Sequence, residues 1–211
     1  MIVQVSEMVK DVRIAIDMNR TDEPLIDIDD EDTLSLDEII ESKLIDAVRL
    51  VESEAPAIML ESGHDFGKEN VFLGKDGKGF IILPSDFMRL VSFRMSDWHR
   101  TVFNSIDESD PEYGKQSSKW KGICGSPEKP VVAIVHRSEG KVLEFYSCND
   151  DKATVAQATY VPYKKIDEDG GLDVSEDCYR AAVYRAASLA LASVGDQMSG
   201  TMLEISKSLL S

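Results

Sequence analysis

A chain of 211 residues is long enough to bury a sizeable core and falls between one large domain and two small ones. Its net charge of −16 at pH 7 excludes nucleic-acid binding through phosphate contacts, because that affinity comes from Lys and Arg displacing counterions. With 43% hydrophobic residues and a mean hydropathy of −0.19, the composition is that of a soluble globular protein. No run approaches the roughly eighteen apolar residues of a membrane span, so no membrane partner is expected. The N-terminal stretch "MIVQVSEMVKDVRIAID" carries Glu7, Lys10 and Asp11 where a signal peptide needs an apolar centre, which predicts cytosolic origin. Cys124, Cys148 and Cys178 are far apart and never form a CxxC pair, so they predict buried or half-buried thiols rather than a disulfide framework or a zinc cluster. The charge is uneven: residues 1–62 hold 17 acidic and 5 basic side chains, and residues 63–211 hold 22 and 18.

Val5, Met8, Val9, Val12 and Ile16 recur at spacings of three and four, the apolar face of a short helix. An acidic loop follows over 19–32, containing Asp27, Asp29, Asp30, Glu31 and Asp32. At Ser35 the pattern S-L-D-E is a capping box, in which the Ser35 hydroxyl accepts from the Glu38 amide and Glu38 reaches back to the Ser35 amide. A second helix is predicted over Leu36–Glu54, with Leu36, Ile40, Leu44, Ala47, Val48 and Val51 inward and Pro56 ending it.

From Val71 the period changes. "NVFLGKDGKGFIILP" predicts a hairpin, because two β-rich runs flank a turn in which Asp76-Gly77 suits positive φ. "FMRLVSFRMSDWHRTVF" continues as a strand with Arg89 and Arg94 on opposite sides, the pattern of an edge, a barrel wall or part of an interface. Residues 104–130 lack periodicity, and loops of that length are functional or ordered by a partner. "PVVAIVHR", "SEGK" and "VLEFYSC" form a second hairpin, and "ATVAQATYVPY" another strand. The last forty residues return to helix: an alanine-rich run ended by Gly195, then a final helix to Leu210. The expected fold class is α+β: residues 1–62 and 172–211 form one helical bundle, into which a small antiparallel β-domain, residues 63–171, is inserted.

Asp27, Asp29, Glu31 and Glu38 fit several positions of a calcium loop, but Asp32 stands where the sharp turn needs glycine. A solvated acidic lead-in to a capped helix accounts for the same residues. Cys124 or Cys148 with His99 or His136 would be the nucleophile and base, but no family-type motif surrounds either cysteine, His136 lies in an alternating strand where a half-exposed histidine is commonplace and His64 reads as a turn residue, so neither a catalytic site nor a cofactor is expected. "GKDGKG" is a hairpin turn, since no strand leads through it into a helix. Basic and aromatic residues between Arg89 and Lys121 form the candidate contact surface, with Arg89, Arg94, Trp98, Arg100, Tyr113 and Trp120 as anchors.

"GFIILPSDFMRLVSFRMSDWHR" at Gly79–Arg100, "EYGKQ" at Glu112–Gln116 and "YRAAVYRAASLALASVGDQ" at Tyr179–Gln197 together resemble the head–tail adaptor (connector, tail tubular A-type) ring proteins of short-tailed and crAss-like bacteriophages. The resemblance implies a virion structural protein at the head–tail junction, made in the host cytoplasm and forming a homo-oligomeric ring of about twelve copies. Such a ring docks on the portal protein, supports a downstream tail protein and lets DNA pass nearby without specific binding. The chain departs from the family in lacking a long apolar C-terminal tail, which leaves Leu209 and Leu210 as a short portal anchor. The rival expectation is a monomeric acidic binding protein that takes calcium at Asp27–Glu38.

Overall fold

A computed structural model describes residues 1–18, 35–61, 63–68, 71–120, 122–149 and 152–211. In chain order its elements are β1 (Ile2–Gln4), α1 (Val5–Met18), α2 (Leu36–Glu54), β2 (His64–Asp65), β3 (Val71–Leu73), β4 (Gly79–Ile82), β5 (Phe87–Met95), α3 (Pro111–Lys115), β6 (Val132–Arg137), β7 (Gly140–Phe145), β8 (Val155–Pro162), β9 (Gly171–Asp173), α4 (Tyr179–Ser193) and α5 (Ser199–Ser208). They divide into two compact units, residues 1–61 with 163–211, and residues 62–162.

In the terminal unit α4 packs against α1, α2 and α5. The buried face of α1 comprises Val5, Met8, Val9, Val12 and Ile16, as its spacing dictates. α2 begins at the capping box: Ser35 Oγ accepts from the Glu38 amide at 3.3 Å, and the Glu38 carboxylate accepts from the Ser35 amide at 2.8 Å. Its inward residues are Leu36, Ile40, Leu44, Ala47, Val48 and Val51, all buried. The contact face of α4 is built from Ala181, Ala182, Ala186, Ala187 and Ala190, whose small side chains let neighbouring helices approach closely. Gly195, at φ 73°, terminates α4 in a Schellman arrangement, with the Gly195 amide on Ala192 O at 3.2 Å and the Asp196 amide on Leu191 O at 2.9 Å.

Buried polar groups tie the two halves of this unit together. The fully buried Glu52 carboxylate accepts from the Ser175 amide at 2.9 Å and hydroxyl at 2.8 Å. The Arg185 guanidinium, itself buried, donates to the Glu54 carboxylate and at 3.4 Å to Ser206 Oγ.

The expected fold class is overturned on two counts. Nine strands in three antiparallel sheets occur among the described residues and dominate the middle of the chain, so the β-structure is not a small insertion. Nor is the terminal unit a plain helical bundle, because β1 and β9 pair in it as an antiparallel ribbon, with Ile2 opposite Asp173 and Gln4 opposite Gly171. Three-residue strands are too short to show a period of two, and their pairing partners lie at opposite ends of the chain.

The β-unit consists of two sheets, in the orders β2-β8-β5 and β3-β4-β7-β6. Residues of both line one aromatic core containing Phe66, Phe87, Phe93, Trp98, Phe145 and Tyr160, which makes the unit a sandwich. Phe66 stacks on Phe93 at 6.1 Å, Phe87 on Tyr160 at 5.4 Å, and Trp98 meets Phe93 edge-on at 5.5 Å. The β3–β4 turn needs glycine: Gly77 has φ 78°, and a Cβ there would lie 2.0 Å from the Cys148 carbonyl oxygen. β5 is an edge strand of its sheet, and its register against β8 shifts between Phe87 and Arg89, Leu90 and Ser92, and Arg94 and Met95. Those irregularities are why neither face of β5 reads as cleanly apolar.

Replacing Phe93 by alanine removes the ring at the centre of this core and should cost about 3–5 kcal/mol of unfolding free energy in a denaturant titration. Phe72→Ala, at a half-exposed ring on β3, should cost far less.

Candidate contact surface

The aperiodic stretch after β5 is organised by two side chains. Asp110 caps α3, its carboxylate accepting from the Glu112 amide at 2.8 Å, and Pro111 occupies the first turn. Directly after α3, the Gln116 side chain is buried. Its Nε2 donates to Glu112 O at 3.1 Å, and its Oε1 accepts from the Gly125 amide at 2.8 Å. The carboxamide thereby clasps the two ends of the intervening loop. Lys78 Nζ, from the β3–β4 hairpin, donates to Gln116 O at 2.9 Å and ties the loop to the sheet. Cys124 Sγ lies 3.3 Å from Lys115 O and 3.4 Å from Ser118 O, so the thiol stitches the return of the loop to its start. The Ile123 amide donates to Trp120 O at 3.0 Å.

This construction presents apolar surface. Trp120 is 75% exposed and Ile123 50% exposed on an otherwise polar loop, and Lys119 beside them is exposed too. A large aromatic side chain held outward by a self-supporting loop is the arrangement found at protein contacts, where Trp supplies area at little entropic cost.

The other anchors expected from sequence distribute differently. Trp98 is only 4% exposed and belongs to the core. Arg89 is half-buried on β5, Arg94 is exposed on the same strand, and Arg100 is exposed in the segment that follows it. Tyr113 is half-buried in an internal polar cluster. Its hydroxyl lies 3.4 Å from the Glu144 carboxylate, its ring meets Tyr146 edge-on at 6.5 Å, and Tyr146 and Arg137 also donate to Glu144. Glu144 is thus a buried carboxylate satisfied from three sides on the outer face of the four-stranded sheet. Burial, together with the Glu144 charge, holds the Tyr113 and Tyr146 hydroxyls above the usual phenol range. At the C-terminus Leu210 is buried and Leu209 half-buried, so Leu210 is turned into the terminal unit instead of standing free as an anchor.

Asp27, Asp29, Asp30, Glu31 and Asp32 lie outside the described residues. Glu38, the last position of the calcium template, is committed to the helix cap. Among the described residues no group of three or more Asp, Glu, His or Cys side chains is placed to hold a metal ion. Cys148 and Cys178 are both buried. Burial, aided by Asp97, pushes the Cys148 thiol up to about 12, and burial, aided by Glu52, pushes Cys178 up to about 11. Neither is a thiolate near neutral pH, which removes the activated form a nucleophile requires.

Trp120 is the anchor expected from sequence that stands exposed on this loop, Cys124 is the half-buried thiol expected, and Gln116 and Ile123 are not among the expected anchors. Ile123 was detectable as the one large aliphatic residue between Asp107 and Pro130. Nothing in the local pattern singles out Gln116.

At pH 8 a water-soluble thiol reagent should leave Cys148 and Cys178 unmodified in the native protein and label all three cysteines after denaturation, read by mass spectrometry. Gln116→Ala should accelerate amide exchange at Gly125 by at least about tenfold, as expected when a protecting hydrogen bond is lost from a locally opening loop.

No family model matches the chain, and no curated protein matches it either.

Proposed function

We propose that this protein is a structural component of a virion that assembles with copies of itself into a ring at the head–tail junction of a bacteriophage. There it meets the portal on one side and a tail protein on the other. The observation that carries the proposal is the Trp120 loop, whose own hydrogen bonds hold a 75% exposed tryptophan outward in readiness for a protein partner. The placement in a phage tail comes from the resemblance of Gly79–Arg100, Glu112–Gln116 and Tyr179–Gln197 to adaptor sequences. Net charge supports it as well, since an acidic wall keeps a passing polyanion from sticking.

The purified chain, alone or mixed with its portal, should give ring-shaped particles in negative-stain images and a matching mass by mass photometry. A protein that stays monomeric in both mixtures at micromolar concentration removes the proposal.

A further inference from the structure

We infer that the outer edge of β3 is a docking surface for the same edge of a second copy, the two strands pairing antiparallel with Phe72 stacked on Phe72 across a two-fold axis. β3 is the end strand of its sheet, and its backbone pairing has a definite parity. The Gly74 amide donates to Lys78 O at 2.8 Å in the register that sets Phe72 opposite Phe80, so Phe72 and Phe80 exchange ladder bonds. On the other side of β4, the Leu83 amide on Lys141 O at 2.9 Å fixes the same parity. Val71 and Leu73 therefore turn their N–H and C=O groups away from β4, toward the open edge.

The side chains stop at this edge as well. Phe72, Phe80 and Glu144 lie in one row across β3, β4 and β7. The Phe72 ring stacks on Phe80 at 4.7 Å, and the Arg137 guanidinium, which donates to Glu144, covers Phe80 at 5.1 Å. Phe72 is the open end of that stack and is 46% exposed. A hydrogen-bond ladder and an aromatic stack thus end on the same strand. One kind of occupant extends both: a strand with a ring opposite Phe72.

A second copy of β3 supplies it. With Phe72 opposite Phe72, the Val71 of each copy faces the Leu73 of the other, and both pairs exchange N–H and C=O bonds. Val-Phe-Leu carries no charge and no proline, and its register with β4 has no bulge, so these devices against self-pairing are missing from the edge. Exposed charges at the strand ends are balanced, with Asp65 and Lys68 ahead of it and Lys75 and Asp76 after it, so antiparallel pairing offers each cation an anion. Other edges of the β-unit are partly covered, since Val102 bridges to Phe93 on β5 and Ile106 to Ala133 on β6. β1 presents Ile2 and Gln4 and has no ring to extend. A two-fold contact pairs copies and does not propagate, so this one is additional to the ring proposed above.

Oxidative trapping tests the register on full-length chains that carry Cys124→Ser, which leaves only the two buried thiols. In a non-hydrogen-bonded antiparallel pair the Cα atoms lie about 4.5 Å apart, within disulfide reach. Phe72→Cys should therefore give a disulfide-linked dimer at least about tenfold faster than Ser138→Cys, a control at an exposed hairpin turn, under the same copper phenanthroline treatment. Products are read on non-reducing gels and by mass spectrometry. A mixture of Val71→Cys and Leu73→Cys should yield the mixed dimer in preference to either homodimer, because only those two positions are opposed. Val71→Pro gives up an N–H that β4 does not use and should return the Phe72→Cys chain to the control rate. Trapping of Phe72→Cys no faster than the control, mixed dimers no more abundant than homodimers, or indifference to Val71→Pro at an unchanged melting temperature would each overturn the docking. Rings formed by a chain that fails to trap would sink this contact and leave the head–tail ring standing.

Discussion

Everything in the terminal unit depends on residues from the two ends of the chain finding each other. The Met1 ammonium donates to Val174 O at 2.6 Å across a separation of 173 residues, and Glu52 takes two bonds from Ser175 across 123. Between these partners the chain leaves to build the β-unit and then returns. Closing so long an excursion costs about 4 kcal/mol by the logarithmic dependence on length, only slightly more than closing one half as long. Complete burial of Ile40, Leu44, Val48 and Val51 on α2 more than offsets it, at about 1.5–3 kcal/mol for each large aliphatic side chain. What long-range closure does affect is rate, since distant partners must meet before their contacts stabilise anything.

One of those partners, the Met1 ammonium, also sets the electrostatics of the junction. Lys164 is buried and its ammonium meets Asp173 at 2.6 Å, and Asp173 also lies 3.5 Å from the Met1 ammonium. Burial alone would raise the Asp173 carboxyl, but the Lys164 ammonium and the N-terminus outweigh it and hold the carboxyl below its ordinary value. A carboxylate depressed in the folded state contributes stability above its unfolded value, and that contribution disappears as pH falls through the folded one. The ribbon of β1 and β9 is therefore secured at neutral pH and loosened in acid.

Much of the local structure was legible in the sequence, and the reasons are physical. Helical spacing from Leu36 to Val51, begun by Ser35 and Glu38, located α2 to the residue, because periodicity and cap chemistry are both local. Gly77 and Gly140, each with positive φ, marked the two hairpin turns for the same reason. What escaped was long-range or irregular. β1 and β9 are three residues each and are defined by one another, and their absence from the sequence reading is what made the terminal unit look purely helical. Within the contact surface Trp98 and Trp120 have similarly polar neighbours in sequence, yet one closes a core and the other faces solvent. The difference lies in tertiary packing against Phe93 and Phe145, which no local pattern encodes. Gln116 escaped for a related reason: its function is to bond two backbone groups that only the folded loop brings together.

That contrast between the two indoles has a practical side. The protein contains two tryptophans, one 4% and the other 75% exposed. Excited together, they emit from a dry aromatic interior and from open water, so a soluble quencher such as acrylamide silences one and spares the other. A single fluorescence spectrum thus separates occupancy of the outer loop from integrity of the sandwich, with each indole serving as the internal standard for its twin.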